Sequence, residues 1–318
     1  MNKKLRGDLM LILTALIWGS SFVAQKSGMD LIGPLAFNGI RTLIGGIVLI
    51  PAIKILDRFK AGREDAAQDS SGEKALEEVK KEKRTLLIGG ISCGAALMAA
   101  GNLQQIGIYY TTAGKAGFIT ALYVVIVPIF GLFMKKKIRP IIWLCVAASA
   151  LGLYLLCIPA GGGFGQLNKG DIIMPFCALL FAIHILIIDY FSPKVDGVKL
   201  SCIQFFVAGI LSLIFIWIDP LLGFALPTIQ TVAASWLPIL YAGVLSCGAA
   251  YTMQVVAQAD TDPTIASMIL CLESVFAVLA GMVILGEAMS VREVFGCVIM
   301  FAAIVVAQLP SKNKETTL

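Results

Sequence analysis

Long runs without charge set the pattern of this chain. In the first half they cover residues 9–25, 34–53 (interrupted by Arg41), a stretch within 85–114, 116–134 and 141–158. After a glycine-rich break at 160–165, five more follow at 172–188, 200–218, 235–257, 264–285 and 294–309. A helix that crosses the hydrocarbon core needs about 20 largely apolar residues. Continuous apolarity without period-two alternation argues against the strands of a membrane barrel. The pattern predicts an all-α membrane protein of ten transmembrane helices.

Charge placement tests that count. With the N-terminus inside, the inside segments hold Lys3, Lys4, Arg6, the basic residues of 54–84 and 135–139, Lys194, Lys199, Lys312 and Lys314. These make 20 of the 25 basic residues, against Lys26, Lys115, Lys169 and Arg292 outside. Such asymmetry follows the positive-inside rule, and a missed or extra span would scramble it. The expected location is the inner (cytoplasmic) membrane, multi-pass, with both termini cytoplasmic and the lipid bilayer as surroundings.

Composition agrees. The 318 residues are 58% hydrophobic and 14% charged, where soluble domains carry about 25% charged residues. The net charge of +5 follows from topology and does not imply nucleic acid. The start Met-Asn-Lys-Lys-Leu-Arg before an apolar stretch resembles a secretory signal, but similar spans recur along the chain, so the first run is expected to stay as a helix. The polar segment 57–84 mixes both signs and pairs Glu77 with Lys81 at helical spacing. It reads as a solvated cytoplasmic loop, with a partner-docking arm as the alternative. The eight cysteines fall in apolar runs with no CxxC or Cys/His cluster, so they are expected as free, packed thiols without metal or disulfide.

The chain repeats weakly at a period of roughly 150 residues. Residues 105–114 precede the span Phe118-Ile-Thr-Ala-Leu-Tyr-Val-Val-Ile-Val-Pro128, and residues 254–263 precede Ile265-Ala-Ser-Met-Ile-Leu-Cys-Leu-Glu273-Ser-Val-Phe. Both continue into a small-residue-rich helix, a short charged turn and a last apolar helix. Five spans per half force the halves into opposite orientations, giving two inverted five-helix repeats, an architecture that favours a solute site near the bilayer midplane. The expected layout is a first repeat over 1–158, a linker at 159–170, a second repeat over 171–309 and a cytoplasmic tail at 310–318.

These residues resemble the drug/metabolite transporter superfamily, and within it the ten-helix EamA family. The resemblance rests on Ile17-Trp18-Gly19-Ser20-Ser21-Phe22, on Arg41-Thr42-Leu43-Ile44-Gly45-Gly46, on 105–128, and on Leu272-Glu273-Ser274-Val275-Phe276 followed by Leu285-Gly286-Glu287. It covers about residues 9–309. The family usually has proline after this glutamate, where the chain has Ser274, so the local helix geometry is expected to differ. Lys136-Lys137 stands where the second half has Gly286-Glu287. The resemblance implies a secondary exporter or exchanger of a metabolite, amino acids among the candidates, and leaves the substrate open.

Ionisable residues inside a span cost about 2.5–3.5 kcal/mol on insertion scales and are candidates for function. Glu273, mid-way along the ninth run, can bind a proton or a cationic group, or lock helices together. Arg41 can clamp a carboxylate, pair with Glu273 or snorkel toward headgroups. His184, the only histidine, can relay protons or serve as a neutral hydrogen-bonding partner. Asn102, Gln105 and Tyr109 share one helix face by spacing, as do Tyr251, Gln254 and Gln258. Matching stripes in the two halves can line a cavity for a zwitterionic solute or act as glue between helices. Trp18 and Ser21 are further wall candidates, with Ser20 beside them. No P-loop or HExxH motif is present, so neither ATP-driven transport nor an enzyme is expected, and no cofactor. The expected function is secondary transport by alternating access, with a small-molecule substrate and protons as partners. The alternatives are a membrane-embedded sensor or partner protein and an enzyme acting on lipid-linked substrates.

Overall fold

The computed structural model describes residues 3–29, 31–64, 73–111, 113–134, 138–157, 169–285 and 290–309. The first half contributes α1 (Lys3–Gly28), α2 (Pro34–Glu64), α3 (Glu73–Tyr110), α4 (Ala113–Ala121), α5 (Tyr123–Phe133) and α6 (Pro140–Cys157). The second contributes α7 (Lys169–Phe191), α8 (Gly197–Ile214), α9 (Ile218–Leu221), α10 (Ile229–Ala234) and α11 (Trp236–Leu240), then a π-helical segment Tyr241–Tyr251. It closes with α12 (Thr252–Gln258), α13 (Pro263–Leu270), α14 (Glu273–Leu285) and α15 (Val291–Gln308). Among the described residues there is no strand. Helices satisfy their own backbone groups, which lipid cannot do.

Among the described residues eight stretches are long and apolar enough to cross a membrane, three of them composite: Ala116–Phe133 joins α4 to α5, Trp236–Gln258 joins α11, the π segment and α12, and Pro263–Ala280 joins α13 to α14. Pro140–Leu155 on α6 is a shorter apolar helix, and the last of the ten expected runs lies on α15. The protein is therefore an all-helical, multi-pass membrane protein.

Packing repeats between the halves. α2 packs on α8, α6 on α15, and α4 and α5 on α14 and α13. The contact of α3 with α7 is matched by that of the π segment and α12 with α1, and α3 with α8 by the π segment with α2. A pseudo-two-fold between the halves produces this pairing.

The polar segment 57–84 is mostly helical extension: α2 continues to Glu64 and α3 starts at Glu73, with Asp57 Oδ1 paired to Lys199 Nζ at 2.8 Å. An exposed pair of this kind contributes about 0–1 kcal/mol. The expected linker ends earlier than 170, because α7 begins at Lys169. The glycine-rich break, Lys136-Lys137, Gly286-Glu287 and the tail 310–318 lie outside the described residues. Seven cysteines are described and all are free thiols.

Two spans break near their middle. At Leu122, Val125 N–H bonds to the Leu122 carbonyl at 3.0 Å, an i→i−3 contact that tightens the turn. Pro128 on α5 withholds a further backbone donor. At Cys271–Leu272, Leu272 N–H bonds to Ile269 O at 3.1 Å and Ser274 N–H to Cys271 O at 3.2 Å. The second break forms without a proline, and Ser274 Oγ donates to Gly117 O at 3.3 Å in the other half.

Caps fix the ends. Asp196 accepts from the Val198 and Lys199 amides at the start of α8, and Asp262 from those of Thr264 and Ile265 on α13. Ser290 and Glu293 form a capping box on α15. Asp219, fully buried, caps α2 from across the bundle: its two oxygens accept from Leu35 N and Ala36 N, each at 3.0 Å.

Close approach is built in at Gly19, where an added Cβ would lie 2.6 Å from Glu273 O and 2.7 Å from Ala277 N. Backbone cannot yield as a flexible side chain can. Gly19→Ala is expected to destabilise by about 1–3 kcal/mol, as over-packing does, read as a lower midpoint in thermal unfolding of the detergent-solubilised protein. Gly117→Ala, whose Cβ would meet only Ser274 Oγ at 3.7 Å, is expected to leave the midpoint unchanged.

Candidate functional site

Broken helices and the π segment bring polar side chains to one cavity between the halves. Its wall includes Trp18, Ser21, Gln25, Arg41, Gln104, Thr120, Tyr123, Ser246, Tyr251 and Glu273. The free space between them admits water but no metabolite. The first residues after the two breaks, Tyr123 and Glu273, meet here: Tyr123 O–H donates to Glu273 Oε1 at 3.1 Å. Glu273 is 3% exposed, and its other carboxyl oxygen has no partner among the described residues.

Arg41 is 2% exposed. Its Nε donates to Asn38 Oδ1 at 3.0 Å, one helical turn earlier on α2. Asn38 is held in turn by Asn102 Oδ1 on α3 at 2.7 Å and Ser212 Oγ on α8 at 3.3 Å, and Ser212 donates to the same Asn102 oxygen at 3.1 Å. Three helices thus fix the root of the guanidinium. Among the described residues nothing accepts from its two terminal nitrogens, and it makes no ion pair with Glu273, the pairing that sequence allowed. A planar fork of free donors matches a carboxylate.

An aromatic corner closes the wall. Trp18 packs at a tilt of 54° against Tyr251 with centroids 4.4 Å apart, and its indole N–H donates to Ser246 O at 3.2 Å. That carbonyl belongs to the π segment, whose i→i+5 pattern is frequent at functional sites. Ser21 Oγ donates to Trp18 O at 2.9 Å and accepts from Gln25 Nε2 at 2.9 Å, while Ser20 bonds to Tyr241 OH at 2.6 Å.

The remaining candidates sit elsewhere. Asn102 belongs to the network behind Arg41. Gln105 is fully buried away from the cavity, with both amide atoms unpartnered. Tyr109 is half exposed and packs edge-on against Tyr110 and Phe224. Of the first stripe, then, no member lines the cavity, and the neighbouring Gln104 does. Of the second stripe Tyr251 does, whereas His184 and Gln254 are buried beside it. Thr120, Tyr123 and Ser246 are isolated polar groups in apolar runs, Gln25 ends one beside Lys26, and Gln104 stands beside Gln105 but off its helix face.

A family model, the EamA-like transporter family, matches residues 5–158 and again 168–308. The chain belongs to the EamA-like transporter family. It is similar to an uncharacterized transporter of Archaeoglobus fulgidus, 30% identical over 96% of this chain and 87% of that one. An uncharacterized transporter of Clostridium kluyveri is 25% identical over 98% of this chain and 94% of its own length, and the uncharacterized transporter YoaV of Bacillus subtilis 23% over 93% and 94%. A solved crystal structure shares the fold with a TM-score of 0.73 at 17% identity, covering 96% of this chain and 97% of that one. This EamA protein is a transporter, and its duplicated family match agrees with the paired packing of its halves.

Removing Asn38 leaves Arg41 Nε and the Asn102–Ser212 pair short of a partner. Asn38→Leu is expected to destabilise by about 1–3 kcal/mol. Combined with Asn102→Leu, the two losses are expected to fall short of additive by about 0.5–3 kcal/mol, measured as a double-mutant cycle in thermal unfolding. Additive losses would contradict a single network.

Proposed function

We propose that the protein is a secondary transporter that exports or exchanges a small zwitterionic metabolite, such as an amino acid, by alternating access across the cytoplasmic membrane. The observation that carries this reading is an unpaired guanidinium and a carboxyl on one cavity between the repeats. Arg41 receives the carboxylate of the solute in a bidentate contact. Glu273 holds a proton or the solute's ammonium group, and exchange between the two couples flux to the proton gradient. Trp18 and Tyr251 cover the apolar part of the solute. Because the cavity is too narrow for a metabolite, loading requires the halves to rock apart around it, the motion favoured by inverted repeats. Both termini lie on the cytoplasmic side in this reading, as basic-residue placement requires.

Proteoliposomes with a panel of labelled amino acids test this. The native protein is expected to show saturable uptake that follows an imposed pH gradient. Glu273→Gln is expected to lose gradient-driven uptake while keeping solute counterflow; uptake that still follows the gradient would remove Glu273 from coupling. Arg41→Gln deletes a charge-assisted contact of about 1.5–3 kcal/mol, so KM for the accepted amino acid is expected to rise by roughly ten- to a hundred-fold. An unchanged KM would remove Arg41 from binding.

A further inference from the structure

Beside the cavity lies a second polar cluster with no role in the wall just described. His184 on α7 is fully buried; its Nε2 meets Gln204 Oε1 on α8 at 3.1 Å, and its ring lies 6.1 Å from that of Tyr251. Tyr251, Gln254 and Gln258 follow at spacings of three and four, so they share one face. Both ends of that face meet α7 at neighbouring residues: Tyr251 stands against His184, while Gln258 Nε2 donates to Ile185 O at 3.1 Å. Gln254 therefore lies between these two contacts. His184 Nδ1, Gln204 Nε2, Gln254 Oε1 and Gln258 Oε1 are all buried with no partner among the described residues, and so is Thr261 Oγ1 just beyond.

Buried polar atoms are satisfied in the great majority of cases, by protein or by ordered water. Unpartnered buried atoms occur elsewhere too, both of Gln105 among them, but these four come from three helices that meet at one place and can form a lining. The lining starts at Tyr251, which also faces the cavity. Beyond Thr261 it reaches Gly7, which borders a surface pocket with Lys3, Arg6 and Asp260 at the membrane face that holds the N-terminus. Gly7 stands there against Thr261, with room for a Cβ only 3.0 Å from its Oγ1. The groups are neutral amides, an imidazole and a hydroxyl. They can hydrogen-bond water in either direction but supply no fixed charge to trap an ion.

We propose that His184, Gln204, Gln254 and Gln258 line a file of ordered waters that joins the central cavity to the N-terminal face and carries the proton exchanged at Glu273. A proton leaving the Glu273 carboxyl passes to water, each water handing on one of its own protons, until one is released at the face near Asp260. The route lets the carboxyl equilibrate with that side while the solute gate is shut. This inference rests on Glu273 as the coupling group, whereas the water file itself does not.

Radiolytic hydroxyl footprinting of the native protein reads the file without any substrate. Hydroxyl radicals formed on bound water oxidise adjacent side chains, and His184 is the only histidine. Met174, equally buried in the core and intrinsically more easily oxidised, is the internal control. His184 is expected to be oxidised several-fold faster than Met174, and in Gln204→Leu to fall to the Met174 level with labelling elsewhere unchanged. Oxidation of His184 no faster than Met174 in the native protein would overturn the file. The proton role is read in proteoliposomes with the amino acid that the native protein accepts. Gln204→Leu is expected to slow gradient-driven uptake several-fold while leaving counterflow at native rate. Native-rate uptake in a variant that has lost His184 labelling would overturn the proton route. Absence of gradient-driven uptake in the native protein would instead count against Glu273 as the coupling group.

Discussion

Lipid offers no hydrogen bonds, so each polar group within the bilayer must find its partner inside the protein or face a cavity that water can enter. Most of this structure follows from that constraint. Backbone groups are closed within helices, and helix ends are capped by Asp196, Asp262 and Ser290. Asp219 reaches across the bundle to cap α2. Asn38, Asn102 and Ser212 saturate one another behind Arg41. Among the described residues, the unsatisfied groups include the guanidinium tip and one carboxyl oxygen at the cavity and a string of amide and imidazole atoms beside it, besides isolated atoms elsewhere in the bundle such as those of Gln105. Insertion scales put the cost of a central charge at roughly 2.5–3.5 kcal/mol. A fold that keeps such groups unpaired retains them for something other than stability.

Duplication explains where they collect. Two halves facing each other place the α4–α5 and α13–α14 breaks together, so that Tyr123 from one half meets Glu273 from the other. The second span supplies Arg41 and the first supplies Trp18, while the π segment of the eighth turns Ser246 and Tyr251 toward them. Gly19 lets α1 approach the backbone at Glu273 closely enough to close the wall. Neither half builds this cavity alone.

The all-helical membrane fold was legible in the sequence because apolar runs and basic-residue asymmetry answer directly to the bilayer. The breaks were not. Leu122 and Cys271 carry no breaker, and Ser274 stands where a proline would have marked one. Their i→i−3 bonds, like the π segment, lie where the two halves pack together. Among site residues, Glu273, Arg41, Trp18, Ser21 and Tyr251 stood out as charged, polar or motif-bearing positions within spans, and all five line the cavity. Asn102, Gln105 and Tyr109 illustrate the limit of periodicity: spacing groups them on one face but does not say what that face meets. Tyr109 meets Phe224 and the outside, while Gln104, off the stripe, reaches the cavity. Tyr123 is one hydroxyl in an apolar run, and only its partner in the other half reveals it.

The proposed mechanism requires solute to bind in the cavity between the halves. An experimental structure of the protein with a transported amino acid bound tests this most directly. The carboxylate is expected within hydrogen-bonding distance of the Arg41 terminal nitrogens, with the solute between Trp18 and Glu273 and the two halves further apart than here. A solute bound elsewhere, with Arg41 and Glu273 untouched, would contradict it.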